Sequence, residues 1–454
     1  MPVMSRALVQ PTGEALPRPE RGGLYLWGLA VLVGLLVAIG VIVFRTLVFY
    51  AEFIAYQNAA GRLTSKLQEL APWKRVLGPI VGGSIISLLL RAGISMGWGP
   101  APRAFNINDV VQNRRLRGTI RSTRLSLRDS LLSALISVVS LGWGGSTGRE
   151  EPAAHLGASL AMLPGRLLGL DASARRMLIG MGLAAAISAV LHAPIAATLL
   201  ARELILRRMP LTSLGPIALA SVVAWAIALT QFGGRPVIEI ADPGLIPVEF
   251  HFAAFLVAPI LAAFAFGAVV IWSRAPDMLS GAAAQIRLPL WLLPFFGGIL
   301  LGVISLAFPP TIGIGYEPLA AALAAGSYSA QLMPVLALAK IAAAAVTMAF
   351  RWGGGPIAPS LYVGAMIGST MGVVVGLMFG DAASGQVYFG VLGMAIAFSA
   401  LMNAPLAAAA LALELSGSPQ IGAVSLACCY ITTMAIQRWS PPKPDETGMM
   451  LRWK

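Results

Sequence analysis

Charge is scarce in this chain. Asp, Glu, Lys and Arg make up 11% of its 454 residues, against roughly 25% in ordinary soluble domains, which excludes a soluble enzyme of this size. Cysteine is nearly absent as well. Cys428 and Cys429 are adjacent within an apolar run, so a disulfide framework is excluded and two small buried hydrophobes are expected. The three histidines, His155, His192 and His251, have no metal-ligand spacing with a carboxylate or cysteine, so no metal site or other cofactor is expected. Acidic residues number 19 against 32 basic ones, a net charge of +13. No basic domain with interleaved aromatics accompanies that excess. It therefore implies cytoplasmic loops and anionic lipid headgroups rather than nucleic acid. No Lys-Ser/Thr follows the glycines of Gly353-Gly-Gly-Pro356, which removes a phosphate loop.

What remains is oil. The chain is 57% hydrophobic with a mean hydropathy of +0.80, the composition of a polytopic membrane protein. Gly23 to Phe44 carries no charge and is long enough to span a bilayer. It is too long for a signal peptide and is expected to be retained as a first helix. Further apolar segments are expected near 77–96, 129–143, 152–165, 176–206 and 211–232, then near 251–274, 288–308, 318–350, 357–380, 386–415 and 419–437. The layout expected is a tail over 1–22, a membrane repeat over 23–232, a polar linker over 233–250, a second repeat over 251–440 and a short tail over 441–454. Arg103, Arg114, Arg115, Arg117, Arg121, Arg124 and Arg128 place their loop inside the cell, and Arg202, Arg207 and Arg208 belong on the same side. Glu239, Asp242 and Glu249 look external, while Arg62, Lys66, Lys74 and Arg75 fit this orientation poorly. Several segments are short or cut by Gly and Pro, and such helices survive in a membrane only where protein or water satisfies their backbone.

The chain is organised around Gly144-Gly-Ser-Thr-Gly-Arg-Glu-Glu-Pro152. Glycines bring the backbone in tightly, and Pro152 suits the first turn of a helix, where no donor is needed. The free N–H groups of that turn and the helix dipole would form an anion site. Glu150 and Glu151 are costly in such a setting, and intramembrane carboxylates are usually functional; acids also simply favour helix N-termini. A second copy of the pattern favours function. Gly148-Arg-Glu-Glu-Pro152 with Gly157 matches Gly355-Pro-Ile-Ala-Pro359 with Gly364 in both gaps. His192-Ala-Pro with Glu203 matches Asn403-Ala-Pro with Glu414, in the same order and at nearly the same offset. Duplicated halves with broken helices at corresponding places point to a transporter whose site lies between the repeats.

These residues resemble the CLC family of chloride channels and chloride/proton antiporters, in a divergent prokaryotic-type form without cytoplasmic regulatory domains. The resemblance covers about 25 to 440 and rests on Gly148-Arg149-Glu150-x-Pro152, on the Gly-x-x-x-Pro of 355–359, and on Ala-Pro followed by a glutamate in each half. It implies an all-helical inverted repeat of tilted and broken helices, a homodimer with one pore per subunit, and cytoplasmic termini in the cell (inner) membrane. It assigns Glu150 as the gate, whose carboxylate competes with anions and takes up protons. Anion binding falls to Arg149, Glu151, Ile357 and Ala358, with Gly97, Trp98 and Gly99 as the inner loop. Glu151 stands where many members carry glycine. Arg149 either adds positive field or pairs with Glu151.

The departures bear on mechanism. Trp98 takes the place of the family's anion-coordinating serine, and Pro356 lacks one backbone donor. The pore tyrosine after Lys-Pro has no counterpart, since Asp445 and Glu446 follow Lys443-Pro444. Glu203 matches the acid that is usually structural, and Leu204 sits where antiporters often carry the inner proton glutamate. Glu203, or water held by Trp98 and Thr198, is left as the candidate inner proton site. Transport of chloride, uncoupled or weakly proton-coupled, is the expectation. Its competitor is proton-coupled exchange of chloride, fluoride, nitrate or bicarbonate by another inner route. A membrane-embedded enzyme using Glu150 and Glu151 as acid and base would want a Ser–His or Ser–Lys pair at motif spacing, which is missing.

Overall fold

The computed structural model describes residues 23–58, 62–96, 127–170, 172–206, 211–234, 237–238, 240, 248–285, 288–324 and 326–439. Among them are sixteen α-helices and no sheet, only one isolated bridge. The first half holds α1 (Gly23–Tyr56), α2 (Leu63–Glu69), α3 (Pro72–Ser95), α4 (Leu127–Gly142), α5 (Glu150–Leu167), α6 (Ala172–Leu191), α7 (Pro194–Leu204) and α8 (Leu214–Phe232). The second holds α9 (Val248–Gln285), α10 (Leu293–Ala307), α11 (Tyr316–Leu323), α12 (Leu332–Ala349), α13 (Ile357–Phe379), α14 (Ala382–Met402), α15 (Pro405–Ser416) and α16 (Pro419–Trp439). Ten helices are long and apolar enough to cross a membrane, and the all-helical, polytopic expectation is borne out.

Three of the expected segments are corrected by the structure. The run 176–206 is two helices, because His192 adopts a left-handed φ of 57° and Pro194 then starts α7. The run 386–415 breaks the same way at Asn403, φ 52°, ahead of Pro405. A left-handed residue followed by proline stops one helix and starts the next without wasting a donor. The run 318–350 splits into α11 and α12 across the polar Ser327-Tyr-Ser-Ala-Gln331. The first helix, by contrast, continues to Tyr56 past Arg45 and Glu52. These charges do not end it because they turn inward: the Glu52 carboxylate is buried and accepts from Asn58 Nδ2 at 3.2 Å.

The inverted repeat is visible in reciprocal hydrogen bonds. Glu203, at the end of α7, accepts from the backbone N–H groups of Leu406 (3.1 Å) and Ala407 (2.9 Å) in the first turn of α15. Glu414, at the end of α15, accepts from those of Ile195 and Ala196 in the first turn of α7, both at 2.8 Å. Each short helix caps the other, which requires that they run antiparallel. A helix end inside a membrane has no water for its orphan N–H groups, so the opposite repeat supplies a carboxylate. In the second repeat α13 and α14 pack almost backbone to backbone. A Cβ on Gly364, Gly368, Gly372 or Gly376 would strike α14 backbone or the turn leading into it, the use of small residues expected between membrane helices. Cys428 and Cys429 are unpaired and buried, as their setting predicts.

Candidate functional site

The loops before α5 and α13 meet at the axis that relates the repeats. Gly148 N–H donates to the Gly355 carbonyl at 2.7 Å, and Gly355 N–H returns the bond to Gly148 at 3.2 Å. Gly354 has φ of 102°, open only to glycine at reasonable cost. Its neighbour's carbonyl, on Gly353, accepts from the hydroxyls of Ser140 (2.7 Å) and Thr147 (2.8 Å). This clamp points the N-termini of α5 and α13 at each other, and both carboxylates lie between them.

Glu150 is completely buried and Glu151 is 1% exposed. Glu150 Oε1 accepts a hydrogen bond from the Tyr316 hydroxyl, at the start of α11. The backbone N–H groups of Glu150 itself and of Ala358 face the same carboxylate, while Oε2 has no hydrogen-bond partner among the described residues. A Cβ on Gly148 would overlap that oxygen and press on Ala358 N. Glu151 turns to the opposite helix: its Oε1 accepts from Ile357 N–H at 2.7 Å, and its Oε2 is buried without a partner among the described residues. A Cβ on Gly355 would overlap the Glu151 carboxyl.

Positive charge surrounds the pair without touching it. Among the described residues the single ion pair within 4 Å is Lys66–Glu69, so Arg149 does not pair with Glu151. Its guanidinium lies over the Tyr316 ring, 5.3 Å from the centroid. Lys340 is fully buried and donates to the carbonyls of Thr311 (3.1 Å) and Gly313 (2.7 Å), which fixes the loop that delivers Tyr316. A cavity of about 720 Å³ opens above, lined by Arg45, Glu52, Arg149, Phe232, Tyr316 and Glu317 among others. Its acids are already engaged, Glu52 with Asn58 and Glu317 with the N–H groups of Thr64 and Ser65. Arg45 stacks on Phe232 at 3.5 Å and donates to the Ala189 carbonyl at 3.2 Å. The lining holds three arginines, Arg45, Arg62 and Arg149, against the two glutamates, a formal excess of one positive charge that favours anions above Tyr316.

Opposed helix N-termini, a buried carboxylate between them and a basic vestibule are an arrangement for passing anions. The model of the voltage-gated chloride channel family matches residues 88–437 of the chain. The chain belongs to the CLC family. It is 26% identical over 418 residues to the voltage-gated ClC-type chloride channel ClcB of Salmonella dublin, covering 89% of this chain and 94% of the relative. The ClcB of Escherichia coli O157:H7 is 27% identical over 411 residues, covering 89% and 94%. A slow cyanobacterial Cl−/H+ antiporter superposes with a TM-score of 0.77 over 91% of this chain and 94% of its own, at 19% identity. A CLC-type fluoride/proton antiporter gives 0.69 over 90% and 95%, at 18% identity. At those identities the two structures speak to the fold alone.

Of the residues assigned from sequence, Arg149, Glu150, Glu151, Ile357 and Ala358 come together at this CLC-type crossing. Gly97, Trp98 and Gly99 lie outside the described residues, as do the arginines of 103–124 and the acids of 445–446. Glu203 stands away from the pair, tied to α15, with Leu204 beside it 6% exposed. Sequence reasoning missed Tyr316, Lys340 and Arg45. The only signal for Lys340 was a lone lysine in an alanine-rich span, and Tyr316 gave none, because nothing local links a loop tyrosine to a glutamate so distant in the chain.

Proposed function

We propose that this CLC protein carries chloride, or another small anion such as fluoride, nitrate or bicarbonate, passively or with weak proton coupling, under the control of Glu150. The observation that carries this reading is the buried Glu150 carboxylate between opposed helix ends, held by Tyr316 and by no cation. Ionised, it takes the place of an anion; protonated, it loses its attraction to the helix ends and yields. The weak coupling follows from the inner side. Leu204 cannot bind a proton, and both oxygens of Glu203 are already occupied by backbone donors. We further propose the family's homodimeric assembly, with one pore per subunit, in the cell inner membrane with both termini cytoplasmic.

Chloride efflux from liposomes holding the purified protein, read together with proton movement, tests this. Chloride flux with no uphill proton uptake is the expected result, and Glu150→Gln should raise the flux at neutral pH. Absence of flux for every small anion, in the wild type and in Glu150→Gln, overturns it. A second reading, proton-coupled antiport, is favoured by one feature: Glu203 lines a cavity of about 310 Å³ with Arg202, Asn403, Tyr430 and Gln437, a place for water to reach it. The chloride/proton and fluoride/proton antiporters of similar fold suit that reading too. Proton uptake at a fixed ratio to chloride, abolished by Glu203→Gln, would make it the correct one.

A further inference from the structure

The first turn of α13 has few donors to offer. Pro356 and Pro359 have no N–H, and Ser360 N–H is already bonded to the Pro356 carbonyl at 2.9 Å. Only Ile357 and Ala358 remain, and each faces a carboxylate, Glu151 and Glu150 respectively. Buried N–H groups are almost always satisfied, and here Ile357 N–H is bonded to a carboxyl group of the other repeat. That donor is not free for a bound ion while the Glu151 side chain stays in place.

We propose that Glu151 is a tethered anion belonging to the chain itself, seated on Ile357 N–H where a transported anion must bind, so that two carboxylates rather than one close the resting path. This rests on the reading of these helix ends as the anion route. The geometry separates the two side chains cleanly. Glu150 is held on the vestibule side by Tyr316, whereas Glu151 reaches across to α13 through the space left by Gly355. The two glutamates that cap helices across the repeats, Glu203 on α15 and Glu414 on α7, each use both oxygens. Glu151 uses one, and leaves Oε2 buried and unpartnered, the condition of a group occupying a site built for something else. An incoming anion offers the α13 N–H groups the same charge without the tether, and Glu151 leaves the seat when one enters.

The test is chloride binding to the purified, detergent-solubilised protein by titration calorimetry, with bromide located by anomalous scattering in crystals. The expected result is that Glu151→Gly binds chloride about tenfold more tightly than the wild type or more, as expected when a charge-assisted hydrogen bond is freed for a ligand. Bromide should then appear at Ile357 N–H. Equal chloride affinity in the wild type and Glu151→Gly overturns the proposal, as does bromide bound elsewhere. If Glu151→Gly does not fold, Glu151→Gln keeps the shape and removes the charge. Chloride must then raise its melting temperature more than that of the wild type, since a ligand stabilises the state it binds; an equal rise overturns the idea. Liposome flux separates the two levels. Normal chloride flux with unchanged binding in the Glu151 variants sinks this inference alone, whereas no flux and no binding in any variant sinks the anion-transport reading with it.

Discussion

At the scale of single residues, the proposed gate depends on what the Glu150 carboxylate touches. Its one side-chain donor among the described residues is the Tyr316 hydroxyl, and a hydrogen bond to a charged group contributes about 1.5–3 kcal/mol. Tyr316→Phe keeps the ring under the Arg149 guanidinium and removes only that donor. Chloride efflux at neutral pH should then rise severalfold; unchanged efflux would show that the phenol does not hold the gate. Lys340 works one step further back. It binds the carbonyls of Thr311 and Gly313 and so places Tyr316, while its charge lies within electrostatic reach of Glu150. Lys340→Met leaves the buried Gly313 carbonyl without its lysine donor, while the Thr311 carbonyl keeps the Ser146 hydroxyl at 2.7 Å; the loss should be about 1–3 kcal/mol and should lower the melting temperature more than Tyr316→Phe does. Leu204→Glu would test coupling directly. A titratable group there should let a chloride gradient drive protons, if the inner side is what limits exchange.

At the scale of elements, the short helices α7 and α15 are held at their first turns by each other's terminal glutamate. Glu203→Ala or Glu414→Ala removes two charge-assisted hydrogen bonds and strips two donors of their partner, for an expected loss of about 2–4 kcal/mol each. Because the repeats are related by symmetry, the two losses should be similar in thermal melts, and the double variant should be sharply unstable. A melt unaffected by Glu203→Ala would argue that this residue is free for proton transfer instead. At the other end of the scale sits Asp381, between α13 and α14, whose side chain accepts from Ser384 N–H at 3.0 Å as an N-cap. That bond holds its carboxyl below the usual aspartate range. The sign follows: the cap stabilises above the unfolded-state value and is lost as pH falls through the folded one. Asp381→Ala should cost about 1 kcal/mol at neutral pH and nothing measurable in strong acid.

At the scale of the whole molecule, the two repeats meet through the paired Gly148–Gly355 bonds and the reciprocal glutamates, so the proposed anion route is a product of both halves rather than of either. The outer faces of α7, α15 and α16 are apolar and exposed at Ile195, Leu406, Tyr430, Ile431 and Met434, against either lipid or a second copy. For a homodimer, mass photometry in detergent should give twice the 47.3 kDa of one chain. Full transport by a strictly monomeric preparation would count against that assembly.

Much of this was legible in the residues. Hydropathy and scarce charge dictated a polytopic helical protein, because a bilayer leaves no other way to satisfy the backbone of a spanning segment. The matched motifs Gly148–Pro152 and Gly355–Pro359, and His192-Ala-Pro with Asn403-Ala-Pro, gave away the repeat and put Glu150 at its centre. These features are local, written in spacing a few residues long. Which acid faces which donor was not legible. Glu150 and Glu151 are neighbours in sequence and alike in chemistry, yet one meets Tyr316 and the other Ile357 N–H, because the helix turn between them aims them at different elements. The roles of Lys340 and Arg45 likewise depend on partners from distant parts of the chain, whereas the structural role expected of Glu203 is what its two backbone bonds show. A carboxylate's function is set by the donors around it, and only the folded chain brings those donors to it.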